Sequence, residues 1–116
     1  MQEPLQIAFH NLDPSPALEA EIRERFGRLE KLCDRLTGAR VSVEALHNQH
    51  RSGNIYEAHI DMRVPGAELV VSHAPHKAKE RYAYVDAHAS VREAFQAAER
   101  QLKKFNRQLN GEVKRH

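Results

Sequence analysis

A chain of 116 residues has room for one domain around one hydrophobic core, and not for a separate catalytic module. Hydrophobic residues at 41% and charged residues at 29% exclude a wholly disordered chain, and no apolar run approaches the ~20 residues of a membrane span. The formal charge of +2 is small, but Arg100 to His116 holds six basic residues against Glu112 alone, a net of +5 that leaves the rest at −3; such asymmetry gives a small protein one electropositive side.

Met1-Gln2-Glu3-Pro4 lacks the basic start and apolar stretch of a secretory signal, and Cys33 has no second cysteine to pair with. Both features lead to the expectation of a cytoplasmic protein. Leu5, Ile7 and Phe9 then alternate with Gln6, Ala8 and His10, the period of a strand with one buried face. Asn11 to Pro16 breaks that pattern; Ser15 or Asp13 can cap a helix, and Pro16 suits its first turn. Leu18, Ile22, Phe26, Leu29, Cys33 and Leu36 recur at three- and four-residue steps, one buried stripe, with Gly38 as its expected stop.

Val41, Val43 and Ala45 mark a second strand. After the polar stretch from His47 to Gly53, Tyr56, Ala58, Ile60, Met62 and Val64 alternate with Glu57, His59, Asp61 and Arg63 in the clearest strand signal of the chain. Pro65-Gly66 predicts a tight turn, and Ala67 to Ser72 a fourth strand with Val70 as an outward apolar exception. A polar segment from His73 to Tyr84 precedes a last helix, capped by Asp86, on which Val91, Phe95, Ala98, Leu102, Phe105 and Leu109 share a face and which Gly111 is expected to end.

The order β-α-β-β-β-α over residues 1–116 predicts a single α+β domain. A helical crossover makes the first two strands parallel and short connections make the last three antiparallel, a four-stranded mixed sheet. Because each strand has one apolar face, the two helices must be packed on one face of it. Gln6, Ser42, Glu44, Glu57, His59 and Asp61 are left on the open face.

At roughly 100° per residue, Arg25, Arg28, Lys31 and Arg35 fall on one flank of the first helix, and Arg92, Arg100, Lys103 and Arg107 form a band on the last, with Lys104 at its margin. Two such helices side by side would offer cations at intervals suited to phosphate backbones. Glu21, Glu24, Glu93 and Glu99 interrupt the bands, so a solvated helix pair is an equally open reading. Three chemistries find little support. There is no glycine-flanked nucleophile, phosphate loop or paired carboxylate in a cleft, so no enzyme is expected. His10, His47, His50, His73 and His76 should gather at one end of the sheet with His88 nearby, but no cysteine or acidic triad joins them, and polar loops without a metal are the expectation. Cys33 belongs to a core stripe, and Tyr82 and Tyr84 are read as pinning their loop.

Particular strings nevertheless resemble a known family. Arg25-Phe26-Gly27-Arg28-Leu29-Glu30 with Asp34-Arg35-Leu36 is similar to the basic-Phe-x-basic-Leu-Glu and Asp-Arg-Ile stretches of the ribosome hibernation-promoting factors, also called ribosome-associated inhibitors or sigma-factor modulation proteins. Arg100-Gln101-Leu102-Lys103-Lys104 is similar to their Arg-Gln-Leu-x-Lys, and Asp86 matches as well. The resemblance covers nearly the whole chain and is to the short form, without the C-terminal dimerisation domain of long members, so a monomer when free is implied.

It further implies a non-enzymatic translation inhibitor that needs no cofactor, membrane or small-molecule substrate. Its partner would be the small ribosomal subunit, bound through 16S rRNA in the channel for messenger and transfer RNA. Carried over by position, Arg25, Arg28, Arg100, Lys103 and Lys104 would touch that RNA; Lys31, Arg35, Arg92 and Arg107 are added from helix geometry. Ala97 and Arg92 depart from the family, where lysine and aspartate are frequent, and the segments 47–54 and 73–84 are longer than in short members. A general double-stranded RNA-binding module and a protein-interaction domain using the exposed sheet face are the alternative readings.

Overall fold

The computed structural model describes residues 4–46, 55–73 and 87–114. Its elements run β1 (Leu5–His10), α1 (Pro16–Leu32), β2 (Gly38–Leu46), β3 (Ile55–Val64), β4 (Ala67–His73) and α2 (Ala87–Lys114), the predicted order. β1 lies parallel to β2, and β2, β3 and β4 follow as antiparallel neighbours in one sheet of that spatial order.

The register carries the sheet's two-residue period across all strands. Ile7, Val41, Ile60 and Val71 stand in one row, and Leu5, Ala39, Met62 and Leu69 in another. Both rows face the helices in a single cluster with Leu18, Ile22, Phe26 and Leu29 of α1 and Val91, Ala94, Phe95, Ala98 and Leu102 of α2. Ile22, Val41, Ile60, Met62, Val91 and Leu102 are fully buried; each aliphatic side chain so removed from water contributes about 1.5–3 kcal/mol before conformational entropy is set against it. α2 lies over β3 and β4, and α1 over β1 and beside α2.

Local chemistry explains the helix starts and turns. Ser15 is the N-cap of α1, its hydroxyl accepting from the Leu18 N–H at 3.2 Å, with Pro16 following and Glu19 in the first turn. Pro65 and Gly66 join β3 to β4, and Gly66 supplies the φ of 81° that the second central position of such a turn requires.

Three expected boundaries differ. α1 stops at Leu32, not at Gly38: Cys33 is already extended, and the Leu36 N–H donates to the Cys33 carbonyl in a separate turn. That turn reproduces a three-residue spacing, so Cys33 and Leu36 stay buried and the apolar rhythm outlasts the helix. Gly38 instead opens β2, where strands meet closely. The Ala39 N–H donates to the Pro4 carbonyl at 2.7 Å, and a Cβ on Gly38 would sit 2.9 Å from that oxygen and 2.6 Å from Arg63 Nη2. Gly111 does not end α2, which stays helical to Lys114; a glycine inside a helix costs about 1 kcal/mol but does not break it. Asp86 and the polar segments 47–54 and 74–86 lie outside the described residues.

Gly38→Ala is therefore expected to lower stability by about 1–2 kcal/mol, because a backbone oxygen must move to admit the methyl group. Urea unfolding of the two proteins measures this, and an unchanged midpoint would contradict the close approach.

Candidate nucleic-acid interface

Two polar bridges, one near each end of their contact, join α1 to α2. Near the start of α2, His88 Nδ1 donates to Glu21 Oε1, while Arg25 Nε donates to Glu21 Oε2 at 2.9 Å. Eleven residues further along α1, Asn106 Nδ2 donates to the carbonyl of Leu32 at 3.1 Å and Asn106 Oδ1 accepts from Cys33 Sγ at 3.4 Å. One side chain of α2 thus satisfies a carbonyl that the end of α1 leaves without a helical partner. Both bridges run from earlier to later residues along each helix, so the helices lie parallel and side by side.

Partial burial by itself would raise the Glu21 carboxyl. The hydrogen bonds from His88 and Arg25, with their charges, outweigh it and hold the group below its ordinary range.

The nominated cations divide into two sets. Arg25 and Arg28 line the groove between the helices with Leu29, Leu32, Phe95, Gln96 and Glu99. Arg25 is held by Glu21, Arg28 lies 3.6 Å from Glu24, and Lys103 lies 3.1 Å from Glu99. The last two are well-exposed pairs four residues apart, a geometry worth only about 0.3–0.5 kcal/mol. In contrast, Lys31, Arg35, Arg92, Arg100, Lys104 and Arg107 are exposed, and among the described residues none has a carboxylate within salt-bridge distance. Arg92, Arg100, Lys103, Lys104 and Arg107 occupy the outer side of α2, opposite Val91, Ala98 and Leu102.

Lys31 immediately precedes the residue bonded to Asn106, and Lys103 and Arg107 flank Asn106 itself. Lys31, Lys103 and Arg107 therefore belong to the turns of the two helices that the Leu32–Asn106 bond joins. Arg35 is placed differently from expectation: it follows the end of α1 and belongs to the turn before β2, so its position does not obey helical geometry.

The other side of the sheet has the opposite sign. Arg40 and Arg63 share it with Glu44, Glu57, Asp61 and Glu68, on alternate positions to the core residues. His59 bonds to Glu57, and the Glu68 carboxyl is raised by a hydrogen bond to Asp61 and by that group's charge. Val70, 57% exposed, is the one large exposed hydrophobic residue among those described. Gln101 of α2 donates to its carbonyl at 3.2 Å, occupying part of the β4 edge.

His10, Glu44 and Glu57 share a row, with His73 opposite Ala58 one position away, so these two histidines do stand at one end of the sheet. His47, His50 and His76 lie outside the described residues. Among those described, no cluster of three histidine, cysteine or acidic side chains is placed to hold a metal, and no helix is long and apolar enough to cross a membrane. The Glu21–Arg25 pair follows the four-residue spacing of the helix, but periodicity did not anticipate the contact of Glu21 with His88 or the role of Asn106, which arise between helices; Asn106 among apolar neighbours at helical spacing was the available signal.

Residues 5–110 match the family described as sigma 54 modulation protein / S30EA ribosomal protein. A ribosome hibernation promotion factor of Deinococcus radiodurans is 28% identical over 102 residues, covering 86% of this chain and 47% of that protein. The chain therefore spans about half the length of that curated relative. In structure it is similar to a ribosomal subunit interface protein from Coxiella burnetii, with a TM-score of 0.68, 17% identity and coverage of 88% of this chain and 96% of that one. It is similar also to the N-terminal domain of Thermus thermophilus Protein Y, with a TM-score of 0.65, 19% identity and coverage of 89% and 99%.

Glu21→Gln should destabilise the protein by about 1 kcal/mol near neutral pH. A carboxyl held low in the folded state stabilises above its unfolded pKa and loses that contribution as pH falls through the folded value. The difference between the proteins should thus shrink towards about pH 3; chemical denaturation at both pH values checks it, and a constant gap would contradict the assignment.

Proposed function

The chain belongs to the sigma 54 modulation protein / S30EA ribosomal protein family, and from that premise we propose that it is a ribosome-associated inhibitor of translation that acts by occupancy. α1 and α2 lie on small-subunit ribosomal RNA, in the channel that messenger and transfer RNA would use. No bond is made or broken. The observation that carries this reading is the outer side of α2, where Arg92, Arg100, Lys104 and Arg107 are exposed and, like Lys31 of α1, have no carboxylate within salt-bridge distance among the described residues. Exposed cations without partners lose little by engaging phosphates, and each contact releases counterions.

Lys103 and Arg28 join them by exchanging weak pairs for phosphate, since a charge-assisted bond to an anionic backbone exceeds an exposed four-residue ion pair. Arg25 has another role: its guanidinium is committed to Glu21, so it presents a fixed positive wall to the groove. The name of the Deinococcus relative supports ribosome hibernation as the process. The proposal carries with it a cytoplasmic location, a monomer when free and 16S rRNA as the contact. The opposite sheet face, with four carboxylates against two arginines, disfavours RNA on that side, so docking is one-sided.

Sedimentation of ribosomes with purified protein tests the proposal. Arg100→Glu with Lys104→Glu should lower affinity at least about 100-fold with little change in thermal stability, since both side chains are exposed. Association retained by the double variant would overturn the assigned surface. If about six phosphates are engaged, affinity should also fall by about three orders of magnitude between about 50 and 200 mM salt; a flat salt response would argue against phosphate contacts.

A further inference from the structure

The sheet face opposite the helices holds two carboxylates that no cation of the described residues neutralises. Asp61 of β3 and Glu68 of β4 come within hydrogen-bonding reach of each other, and that contact raises the Glu68 carboxyl. Arginines stand beside them in register, Arg40 opposite Asp61 and Arg63 opposite Glu68. Among the described residues, neither arginine comes within salt-bridge distance of a carboxylate. Arg63 is turned the other way, with its Nη2 over Gly38 of β2, where a Cβ would lie 2.6 Å from it. Asp61 Oδ1 is shut off from water and accepts no hydrogen bond from a described residue, a costly state for an acceptor.

The other carboxylates of this face are accounted for: Glu57 bonds to His59, and Glu44 accepts from Asn11 Nδ2 at 3.4 Å. Asp61 differs also in its neighbour, since Val70 stands opposite it on β4 and is 57% exposed. One spot thus combines two carboxylates lacking a cation with apolar surface. Gln101 of α2 donates to the Val70 carbonyl at 3.2 Å, so the β4 edge is partly taken and a partner approaches over the face, not as an added strand.

We infer that Asp61, Glu68 and Val70 form a docking site for an arginine of a cationic polypeptide segment, its aliphatic stem on Val70 and its guanidinium between the two carboxylates. Charge excludes RNA from this spot. A bare metal ion would find no third ligand among the described residues and no use for Val70. An arginine supplies what both halves lack, an apolar stem and a fork of donors that two carboxylates can accept together. Glu68 is exposed and free to swing, so an incoming guanidinium can reach the covered Asp61 oxygen. Glu44 and Glu57 add a negative field for further cations of the same segment. The setting rests on the RNA reading above: with α1 and α2 on RNA, this face points away from that RNA, and a cationic segment of a ribosomal protein is the partner its charge selects.

A Gly/Ser peptide carrying three arginines, the same peptide with citrulline in their place, and spermidine serve as probes, each titrated into isotope-labelled protein and followed by NMR. The arginine peptide should produce saturable shifts at Asp61, Glu68 and Val70, at least about threefold tighter than the neutral citrulline peptide. No shift at these residues overturns the inference. Equal affinity for spermidine overturns it as well, by reducing the face to a general polycation surface.

Ribosome binding supplies the second arm. Glu68→Lys replaces an exposed side chain and puts an ammonium group beside Asp61, so it should fill the site from within. Ribosome affinity should fall about tenfold with no loss in the unfolding midpoint, although the protein has become more positive. If nothing cationic docks here, the added positive charge leaves affinity for a polyanionic particle unchanged or raises it, and either result overturns the inference while the RNA reading stands. Absence of co-sedimentation by the unsubstituted protein overturns the RNA reading itself, and the peptide titration then decides the site alone.

Discussion

Every strand buries one face, and all those faces point the same way, so α1 and α2 have a single place to lie. That constraint puts two helices with outward cations next to each other rather than on opposite sides of the sheet. Burial alone would leave their spacing and rotation loosely set, because aliphatic packing is only weakly directional. Polar bridges near both ends supply direction: Glu21 with His88 and Arg25, and Asn106 with Leu32 and Cys33. Displacing either helix along its axis would separate at least one pair, leaving partly buried groups without partners. The interhelical groove and the register of cations on its two rims are consequences of these bonds.

The sheet's alternation creates a second consequence. Residues that point away from the core fall into rows by strict register, and here they are predominantly acidic, with Glu44 opposite Glu57. Asp61 and Glu68 are close enough that one raises the pKa of the other. Like charges so placed cost stability, which has to be offset by the core beneath. The fold therefore supports a separation of charge across a two-layer domain, acidic on the sheet and basic on the outer helix surface. At physiological ionic strength the field of such a surface extends about 8 Å, enough to bias the orientation of an approaching polyanion but too short to act far from it.

The architecture was legible because β-strand and helix periods survive along the chain almost without interruption. From Tyr56 to Val64 there is no deviation, and β3 appears where that pattern puts it. Boundaries were less legible where distinct local structures share a spacing. Cys33 and Leu36 continue the helical rhythm from a turn, and Gly38 follows them as a helix-ending glycine would, although its small size serves the contact with Pro4 and Arg63. The interface was legible as a set of charges but not as a set of relationships. Arg25 has Glu21 four residues before it and Arg100 has Gln96; one is clamped by a carboxylate that also reaches a second helix, and the other is exposed with no carboxylate within salt-bridge distance among the described residues. The four-residue spacing tells those cases apart, but it gives no sign of the bond from Glu21 to His88, 67 positions away.

This distinction changes what a cation in such a surface is for. A lysine or arginine with no partner contributes attraction and adapts its rotamer to whatever backbone it meets, at a cost in side-chain entropy. A guanidinium already fixed by Glu21 has lost that freedom in folding, so it adds little adaptability but holds its charge in one place at the groove. A surface made only of the first kind would bind many polyanions similarly, whereas a surface made only of the second would tolerate little variation in backbone path. Placing the fixed arginine between the helices and the adaptable cations outside them combines broad attraction with one point of definite geometry. Specificity, on this view, depends less on the number of positive charges than on which of them Glu21 and its partners have immobilised.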